Sequence, residues 1–171
     1  MDQNTALVII DMQKFFYHRG LNSWYIEKEF IKQSWIDAIK HINEQIRQAK
    51  KLKIPILVVE YDSAASDDED DWKTDGRIRR VIGKYPHVKY VKKSRDDGSG
   101  EIKETLDNSE WVVNKFCICG VNRMACVAET TKGLSKKYEN AEIHLVEKAI
   151  TDEGGMRGWA GADKLPNVIM V

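Results

Sequence analysis

The sequence lacks the features that indicate a nucleic-acid or membrane partner. Lys plus Arg and Asp plus Glu both number 27, so the composition gives no general attraction to polyanions. No apolar run approaches the roughly 18 residues of a membrane span. The first residues carry no basic segment of the kind that opens a signal peptide. We therefore expect no nucleic-acid partner, no membrane partner and a cytoplasmic location.

Cysteine and histidine are also scarce. Three cysteines are an odd number, which argues against a disulfide framework and suits a reducing compartment. The four histidines show no H-x-x-x-H or D-x-H spacing, and Cys117 and Cys119 have no further ligand nearby in the sequence. The common nucleotide-binding fingerprints and the G-x-S-x-G elbow are absent as well. We expect neither a metal nor another cofactor.

Apolar segments indicate a single domain built around a sheet. A chain of 171 residues is long enough for one domain with a substantial core. Several segments are β-branched and nearly continuous, which is typical of strands buried on both faces. Six such segments are present: Ala6–Ile10, Pro55–Tyr61, Val88–Val91, Trp111–Cys119, Ile143–Val146 and Val168–Val171.

Helical patterns lie between these predicted strands. Ile26–Lys50 has apolar residues three to five positions apart, close to one helix face. Asn122–Lys137 is a second predicted helix, and Trp72–Ile82 is a third. Strands that alternate with helices form βαβ units, so we predict a parallel sheet with helices on both faces.

In such sheets, ligands bind beyond the carboxyl ends of the strands. Asp11 follows the first predicted strand, Lys92 and Lys93 follow the third, and Cys126 lies near the start of a helix after the fourth. A helix N-terminus can stabilise a thiolate, an acid can accept the thiol proton, and a lysine can lower the thiol pKa. Each residue taken alone has an ordinary alternative: a core cysteine, a turn cap or a solvated lysine.

Three segments together resemble the isochorismatase-like cysteine hydrolases. ALVIIDMQKFF (6–16) resembles the first strand of that family, with its Asp-x-Gln and following Phe. KYVKKS (89–94) resembles the strand that delivers the catalytic lysine, and GVNRMACVAETTKGL (120–134) resembles the nucleophile segment. The resemblance spans roughly residues 6–152, with the three segments in the family's order.

The resemblance implies a fold and a set of roles. The fold would be one three-layer α/β/α, Rossmann-like domain over residues 1–171, with a mostly parallel sheet of about six strands. Cys126 would be the nucleophile, Asp11 its proton acceptor and Lys93 the residue that orients both, with Lys92 as the fallback. A cis Val121–Asn122 bond would aim the amides of Asn122 and Cys126 at the developing oxyanion.

The substrate side of the site departs from the family. We expect Gln13, Phe16, Arg95 and Arg123 to contact the substrate. Metal-binding nicotinamidases of the family carry Asp-x-His after the second strand, whereas the corresponding stretch here, EYDSAASDDEDD (60–71), has no histidine. Metal-dependent nicotinamidase activity is therefore not expected.

Two charged segments follow the second and third predicted strands. They are Asp67–Asp71 and Arg95–Glu101. Charged walls disfavour an apolar ring, so we expect a polar or charged substrate, poor activity on nicotinamide, and a contact from Arg95 to an anionic or carbonyl group.

These observations favour a metal-independent cysteine hydrolase of a small amide-type molecule. The alternatives are an isochorismatase-type vinyl-ether hydrolase and an inactive binding or assembly protein with the same fold. We also expect a homo-oligomer, partly from family habit and partly because the regions of Trp24, Trp35 and Trp72 offer a large aromatic surface.

Overall fold

The structure is a computed structural model that describes residues 1–24, 26–62, 69–154 and 158–171. Its centre is a six-stranded sheet with the order β3-β2-β1-β4-β5-β6, in which every neighbouring pair is parallel. The strands are β1 (Thr5–Ile10), β2 (Ile56–Tyr61), β3 (Val88–Lys93), β4 (Lys115–Gly120), β5 (Glu142–Ile150) and β6 (Val168–Met170). The predicted parallel α/β architecture is confirmed.

Helices connect consecutive strands. They are α1 (Lys14–Leu21), α2 (Lys28–Leu52), α3 (Gly76–Ile82), α4 (Ser99–Asp107), a π-helical turn (Arg123–Val127) that continues into α5 (Ala128–Lys137), and a short 3₁₀ helix (Ala162–Lys164). Among the described residues, no helix is both long and apolar enough to cross a lipid bilayer.

The core is divided by the sheet into two layers of side chains. Leu7 and Ile9 of β1 point into one layer, which α2 covers with residues such as Trp35. Val8 and Ile10 point into the other layer, which α4 and α5 cover. Because successive side chains of a strand alternate between its faces, the continuous apolar sequence of β1 fits a strand buried on both sides.

The tryptophan argument for self-association is only partly correct. Trp24 is 92% exposed, but Trp35 is 1% exposed and Trp72 is 9% exposed. Trp35 packs from α2 into the core, and Trp72 stacks on Phe15 with ring centroids 4.2 Å apart. Of the three, Trp24 alone therefore adds a large aromatic surface to the exterior.

The sheet also creates the crevice in which a site is expected. The direction in which the chain builds the sheet reverses between β1 and β4. From β1 the chain adds β2 and then β3 on one side, and it then adds β4, β5 and β6 on the other side. At such a reversal the connections leave in opposite directions and open a crevice at the carboxyl ends of the strands. Asp11 and Gly120 follow or end the two central strands at this point.

Candidate active site

Asp11 and Lys93 form a buried ion pair at the carboxyl edge of the sheet. Asp11 follows β1 directly, and its backbone N–H donates to Val59 O at 2.9 Å. Lys93 ends β3, and its Nζ lies 2.8 Å from Asp11 Oδ2 with both side chains fully buried. Lys92 points elsewhere and pairs with Glu60 at 3.0 Å. The lysine beside Asp11 is therefore Lys93 and not the fallback Lys92.

Cys126 reaches the same place from β4. Gly120 ends β4 at a φ of 141°, where an added Cβ would overlap the carbonyl oxygen of Ile10. The chain then turns through Asn122 into the π-helical turn that carries Cys126. The Cys126 thiol lies close enough to Asp11 and Lys93 for electrostatic interaction with both, although its hydrogen bond is donated to Asp96 Oδ1, at 3.6 Å. The structure thus brings Asp11, Lys93 and Cys126 together.

Burial and mutual attraction shift the pKa of each member. Burial raises the pKa of the Asp11 carboxyl, and Lys93 opposes this. Burial would lower the pKa of Lys93, but attraction by Asp11 outweighs it and the pKa of Lys93 is raised. Burial, and next the Asp11 carboxylate, raise the pKa of the Cys126 thiol far above its usual range. These effects favour a neutral thiol and oppose the thiolate stabilisation that a helix start can provide.

The turn before the nucleophile differs from the expected one. Within the described residues no peptide bond is cis, so the expectation of a cis Val121–Asn122 bond is wrong. Asn122 instead has a left-handed backbone with φ 65° and ψ 66°, a conformation that asparagine adopts more readily than most residues. This conformation turns the chain with trans bonds. Asn122 and Cys126 both line the same cavity.

That cavity has a volume of about 760 Å³. Its lining combines aromatic side chains with polar and charged ones. Its lining residues are Phe15, Phe16, Arg19, Asn22, Ser23, Tyr61, Trp72, Asp96, Asn122, Ala125, Cys126, Asp152, Glu153 and Gly154. The expectation of charged walls in place of aromatic ones is wrong in part: four aromatic rings line the cavity, but four charged residues line it too, among them Asp96 of the segment Arg95–Glu101. Asp67 and Asp68 of the acidic segment lie outside the described residues.

The four residues expected to contact substrate have different positions. Phe16 lines the cavity. Gln13 is buried. Its Nε2 donates to Tyr61 O at 3.0 Å and to Trp72 O at 2.6 Å, and its Oε1 accepts from the Tyr61 backbone N–H at 2.7 Å. Gln13 therefore braces two residues of the aromatic wall and is not among the lining residues, which argues against its expected contact with the substrate.

The two arginines differ from expectation as well. Arg95 is exposed and is not among the lining residues. Arg123 donates from Nη2 to Ile150 O at 3.1 Å and lies over the Trp159 ring at 4.7 Å, which holds it against the protein surface beside β5. Neither arginine is among the residues that line the cavity, which argues against their expected contact with the substrate.

Four charged residues that sequence reasoning did not name as site residues line the cavity: Arg19, Asp96, Asp152 and Glu153. Arg19 of α1 binds both oxygens of Glu153, with Nε to Oε2 at 2.7 Å, and lies over the rings of Phe15 and Phe16. Asp96 Oδ1 is 3.6 Å from Cys126 Sγ. Asp96 follows β3 closely, so the same carboxyl-edge rule that selected Asp11 and Lys93 contains the signal for it, whereas Arg19 lies within α1. Across the described residues, no three His, Cys, Asp or Glu side chains are grouped as metal ligands.

Comparisons with known proteins agree with this arrangement. The profile of the Isochorismatase domain matches residues 5–155. No curated protein sequence matches the chain. Among solved structures, the chain is similar to a MAR1 ribonuclease from Caenorhabditis elegans, with 17% identity, a TM-score of 0.74, and coverage of 100% of this chain and 79% of that one.

Two further structures carry amide-related names. A nicotinamidase from Staphylococcus aureus is 17% identical with a TM-score of 0.69, and covers 95% of this chain and 89% of its own. An N-carbamoylsarcosine amidase from Thermoplasma acidophilum is 15% identical with a TM-score of 0.66, and covers 99% of this chain and 95% of its own. At such identities the likeness shows the fold alone.

Proposed function

The chain belongs to the isochorismatase family, and from this premise we propose that it is a metal-independent cysteine hydrolase of a small amide-type substrate. One observation carries the proposal: Asp11, Lys93 and Cys126 meet where a cavity of about 760 Å³ reaches the carboxyl edge of the sheet. A nucleophile, a base and a cation that orients the base are the groups that acyl transfer needs.

The proposed reaction begins with proton transfer from Cys126 to Asp11. Sγ attacks the carbonyl carbon and forms a C–S bond while the carbonyl π electrons move to oxygen. The backbone N–H groups of Asn122 and Cys126 stabilise that oxyanion. Asp11 then gives its proton to the leaving amine as the C–N bond breaks, and a thioester remains. Water hydrolyses the thioester, with Asp11 accepting the water proton and returning it to sulfur.

The pKa shifts support these roles. A neutral thiol needs a base at the moment of attack, and burial makes the Asp11 carboxylate more basic than an exposed one. A general base is most effective when its pKa approaches the working pH. Lys93 offsets part of the burial effect and so keeps Asp11 ionised and oriented before the reaction.

The names of two similar structures support the substrate class. Nicotinamidase and N-carbamoylsarcosine amidase are both named for amide-type substrates. The histidine-free stretch 60–71 supports metal independence, because no imidazole ligand is available there. The cavity volume suits a small molecule, and small-molecule sites commonly enclose a few hundred cubic ångströms.

A panel of small amides and ureido compounds tests the proposal. The wild type should hydrolyse at least one member, and Cys126→Ala should lower kcat/KM by about a thousandfold or more, in line with the loss of a covalent nucleophile. Cys117→Ala is the matched control, since Cys117 is buried in β4 away from the cavity. Treatment with a chelator should leave the rate unchanged.

Other outcomes have defined meanings. Retained activity of Cys126→Ala on a vinyl ether would replace the proposal with isochorismatase-type hydrolysis. Absence of turnover on the whole panel, together with ligand binding in the cavity, would favour an inactive binding protein. Loss of activity on chelation would contradict metal independence.

A further inference from the structure

Asp96 presents a second carboxylate to the nucleophile, in addition to that of Asp11. Its Oδ1 is 3.6 Å from Cys126 Sγ, and its side chain lines the cavity. Its backbone carbonyl accepts hydrogen bonds from Lys93 Nζ at 3.0 Å and Thr130 Oγ1 at 3.2 Å. The backbone is thus fixed by two neighbours, while the carboxylate faces the space that a substrate would occupy.

The charge of Asp96 is not neutralised in the way that the charge of Asp11 is. Asp11 is fully buried and ion-paired with Lys93, whereas Asp96 is exposed. The cavity's guanidinium, Arg19, binds both oxygens of Glu153 instead. No ion pair found within the described part of the chain includes Asp96. The pairs Asp11–Lys93 and Glu153–Arg19 therefore leave the negative charge of Asp96 beside the Cys126 sulfur.

This position constrains the groups that surround the scissile carbon. Once that carbon bonds to Cys126 Sγ, its substituents lie beside the Asp96 carboxylate. An ionised carboxylate only accepts hydrogen bonds, so it attracts N–H groups and cations and repels an anion.

The aromatic wall is an independent observation with the same consequence. Trp72 and Phe15 stack with centroids 4.2 Å apart, and Tyr61 and Phe16 line the same cavity. The faces of aromatic rings attract cations through their quadrupole. The Arg19 guanidinium already lies over the rings of Phe15 and Phe16, so this wall accommodates a cation. The aromatic lining and the Asp96 carboxylate therefore both favour a positively charged group.

We propose that Asp96 determines specificity by selecting a substrate with a positively charged nitrogen group near its scissile carbonyl. The class comprises small amides and ureas that carry a protonated amine, an amidinium or a quaternary ammonium; substrates with a carboxylate there are disfavoured. This inference rests on the proposed function for the identity of the scissile bond. It replaces the expectation that Arg95 would contact an anionic group.

Alkylation of Cys126 by reagents of different charge tests the inference. The probes are (2-bromoethyl)trimethylammonium, iodoacetamide and iodoacetate, which are cationic, neutral and anionic. Peptide mass spectrometry gives the rate at Cys126, and each rate is divided by that of N-acetylcysteine amide. The wild type should favour the cationic over the anionic reagent after this normalisation.

Asp96→Asn should lower the cationic-to-anionic rate ratio about fivefold or more, the effect of one unit-charge pair at 4 Å even in bulk water. Both rates depend on the same thiolate fraction, so the ratio cancels any change in the Cys126 pKa. Asp97→Asn is the matched control: its Oδ1 accepts from the Ser99 backbone N–H, which asparagine can preserve, and it does not line the cavity. A ratio unchanged in Asp96→Asn, or lowered equally in Asp97→Asn, would overturn the inference.

The alkylation test needs no turnover, so it separates the two proposals. If no amide is hydrolysed but the ratio falls only in Asp96→Asn, the proposed hydrolysis fails and charge selection by Asp96 stands. If amides are hydrolysed and the ratio does not change, the hydrolase proposal stands and the role of Asp96 is wrong. For an active enzyme, kcat/KM for matched ammonium and carboxylate amides should follow the same order and lose the preference in Asp96→Asn.

Discussion

The buried pair of Asp11 and Lys93 makes each residue depend on the other. Both side chains are fully buried and 2.8 Å apart. A single charge in such surroundings is costly, and removal of one partner leaves the other uncompensated. The chemistry of the proposed site and the stability of the fold are therefore linked through the same two side chains.

Lys93→Met should destabilise the protein by about 3–5 kcal/mol near neutral pH, as measured for other broken buried pairs. In this variant nothing from Lys93 opposes the effect of burial on the pKa of Asp11, so the folded pKa lies well above the unfolded value of about 3.9. The folded state then binds a proton that the unfolded state lacks. Relative to the wild type, stability is regained below the folded pKa of Asp11 and lost as the pH rises through it.

Urea denaturation at pH 5 and pH 8 measures this difference. The double variant Asp11→Asn, Lys93→Met removes both charges and should recover part of the loss at pH 8. Equal destabilisation at both pH values would show that Asp11 does not carry the penalty.

Asp11→Asn should change hydrolysis and alkylation in opposite directions. It removes the proposed base, so hydrolysis should fall by about a hundredfold or more. It also removes a carboxylate that raises the pKa of Cys126 while leaving Lys93, which lowers it. Alkylation by iodoacetamide at pH 7 should therefore accelerate, by about threefold for each unit of fall in the thiol pKa, because lower thiol basicity offsets part of the larger thiolate fraction.

The pH dependence of the alkylation rate gives the thiol pKa in each protein. Cys126→Ala corrects for labelling of the other cysteines. Slower alkylation in Asp11→Asn, with the fold intact by circular dichroism, would contradict the assigned effect of Asp11 on the thiol.

At the scale of elements, strands were easier to predict than the short helices around the site. The β1 segment is apolar on both faces, so its pattern has one simple explanation. α1 and α4 were not predicted. In α4, only Ile102 and Leu106 are buried apolar residues, which is too few for a clear helical period. α1 has adjacent aromatic residues and an internal glycine, and its position depends on packing against α2.

The residues of the candidate site also differ in how well the sequence predicts them. Asp11, Lys93 and Cys126 could be selected because each lies at or beyond the carboxyl end of a parallel strand, and these strand ends converge whatever the conformation of the loops. The positions of Arg95 and Asp96 could not be separated from the sequence, since adjacent loop residues point in different directions according to their hydrogen bonds. The aromatic wall was missed for a related reason: Trp72 joins Phe15 across 57 residues of chain.

The end of β4 should be the most sensitive backbone position near the site. Gly120 has a φ of 141°, and a Cβ there would overlap the backbone of Ile10, directly before Asp11. Gly120→Ala should therefore destabilise by at least about 1–3 kcal/mol through backbone strain, and should lower activity further by separating Asp11 from Cys126. Thermal unfolding and kcat/KM measure the two effects.

Gly100→Ala is the control for this variant. Gly100 lies in α4 with no atom within 4 Å of an added Cβ, so alanine there should leave activity unchanged and stabilise the helix by about 0.4–1 kcal/mol. If Gly120→Ala were as stable and active as Gly100→Ala, the close approach of β1 and β4 would not constrain the site.

At the scale of the whole molecule, we propose that the chain forms a homo-oligomer through the region that joins α1 and α2. Trp24 is 92% exposed and Phe30 is 49% exposed, and the two lie close together in the chain. Asn22 and Ser23, directly before Trp24, line the cavity. An aromatic side chain of this size contributes strongly when a partner covers it, so an interface here would lie beside the cavity mouth.

Light scattering should give a particle heavier than the chain mass of 19.7 kDa, and Trp24→Ser should weaken association by about tenfold or more, since buried interface tryptophans are frequent hot spots. Val112→Ser is the matched control, because Val112 is 76% exposed and lies outside the α1–α2 region. A wild-type particle at the mass of one chain would contradict self-association, and equal dissociation by both variants would place the interface elsewhere. If Trp24→Ser dissociates the oligomer and also raises KM, the neighbouring subunit helps to close the cavity; if KM is unchanged, each chain has a complete site.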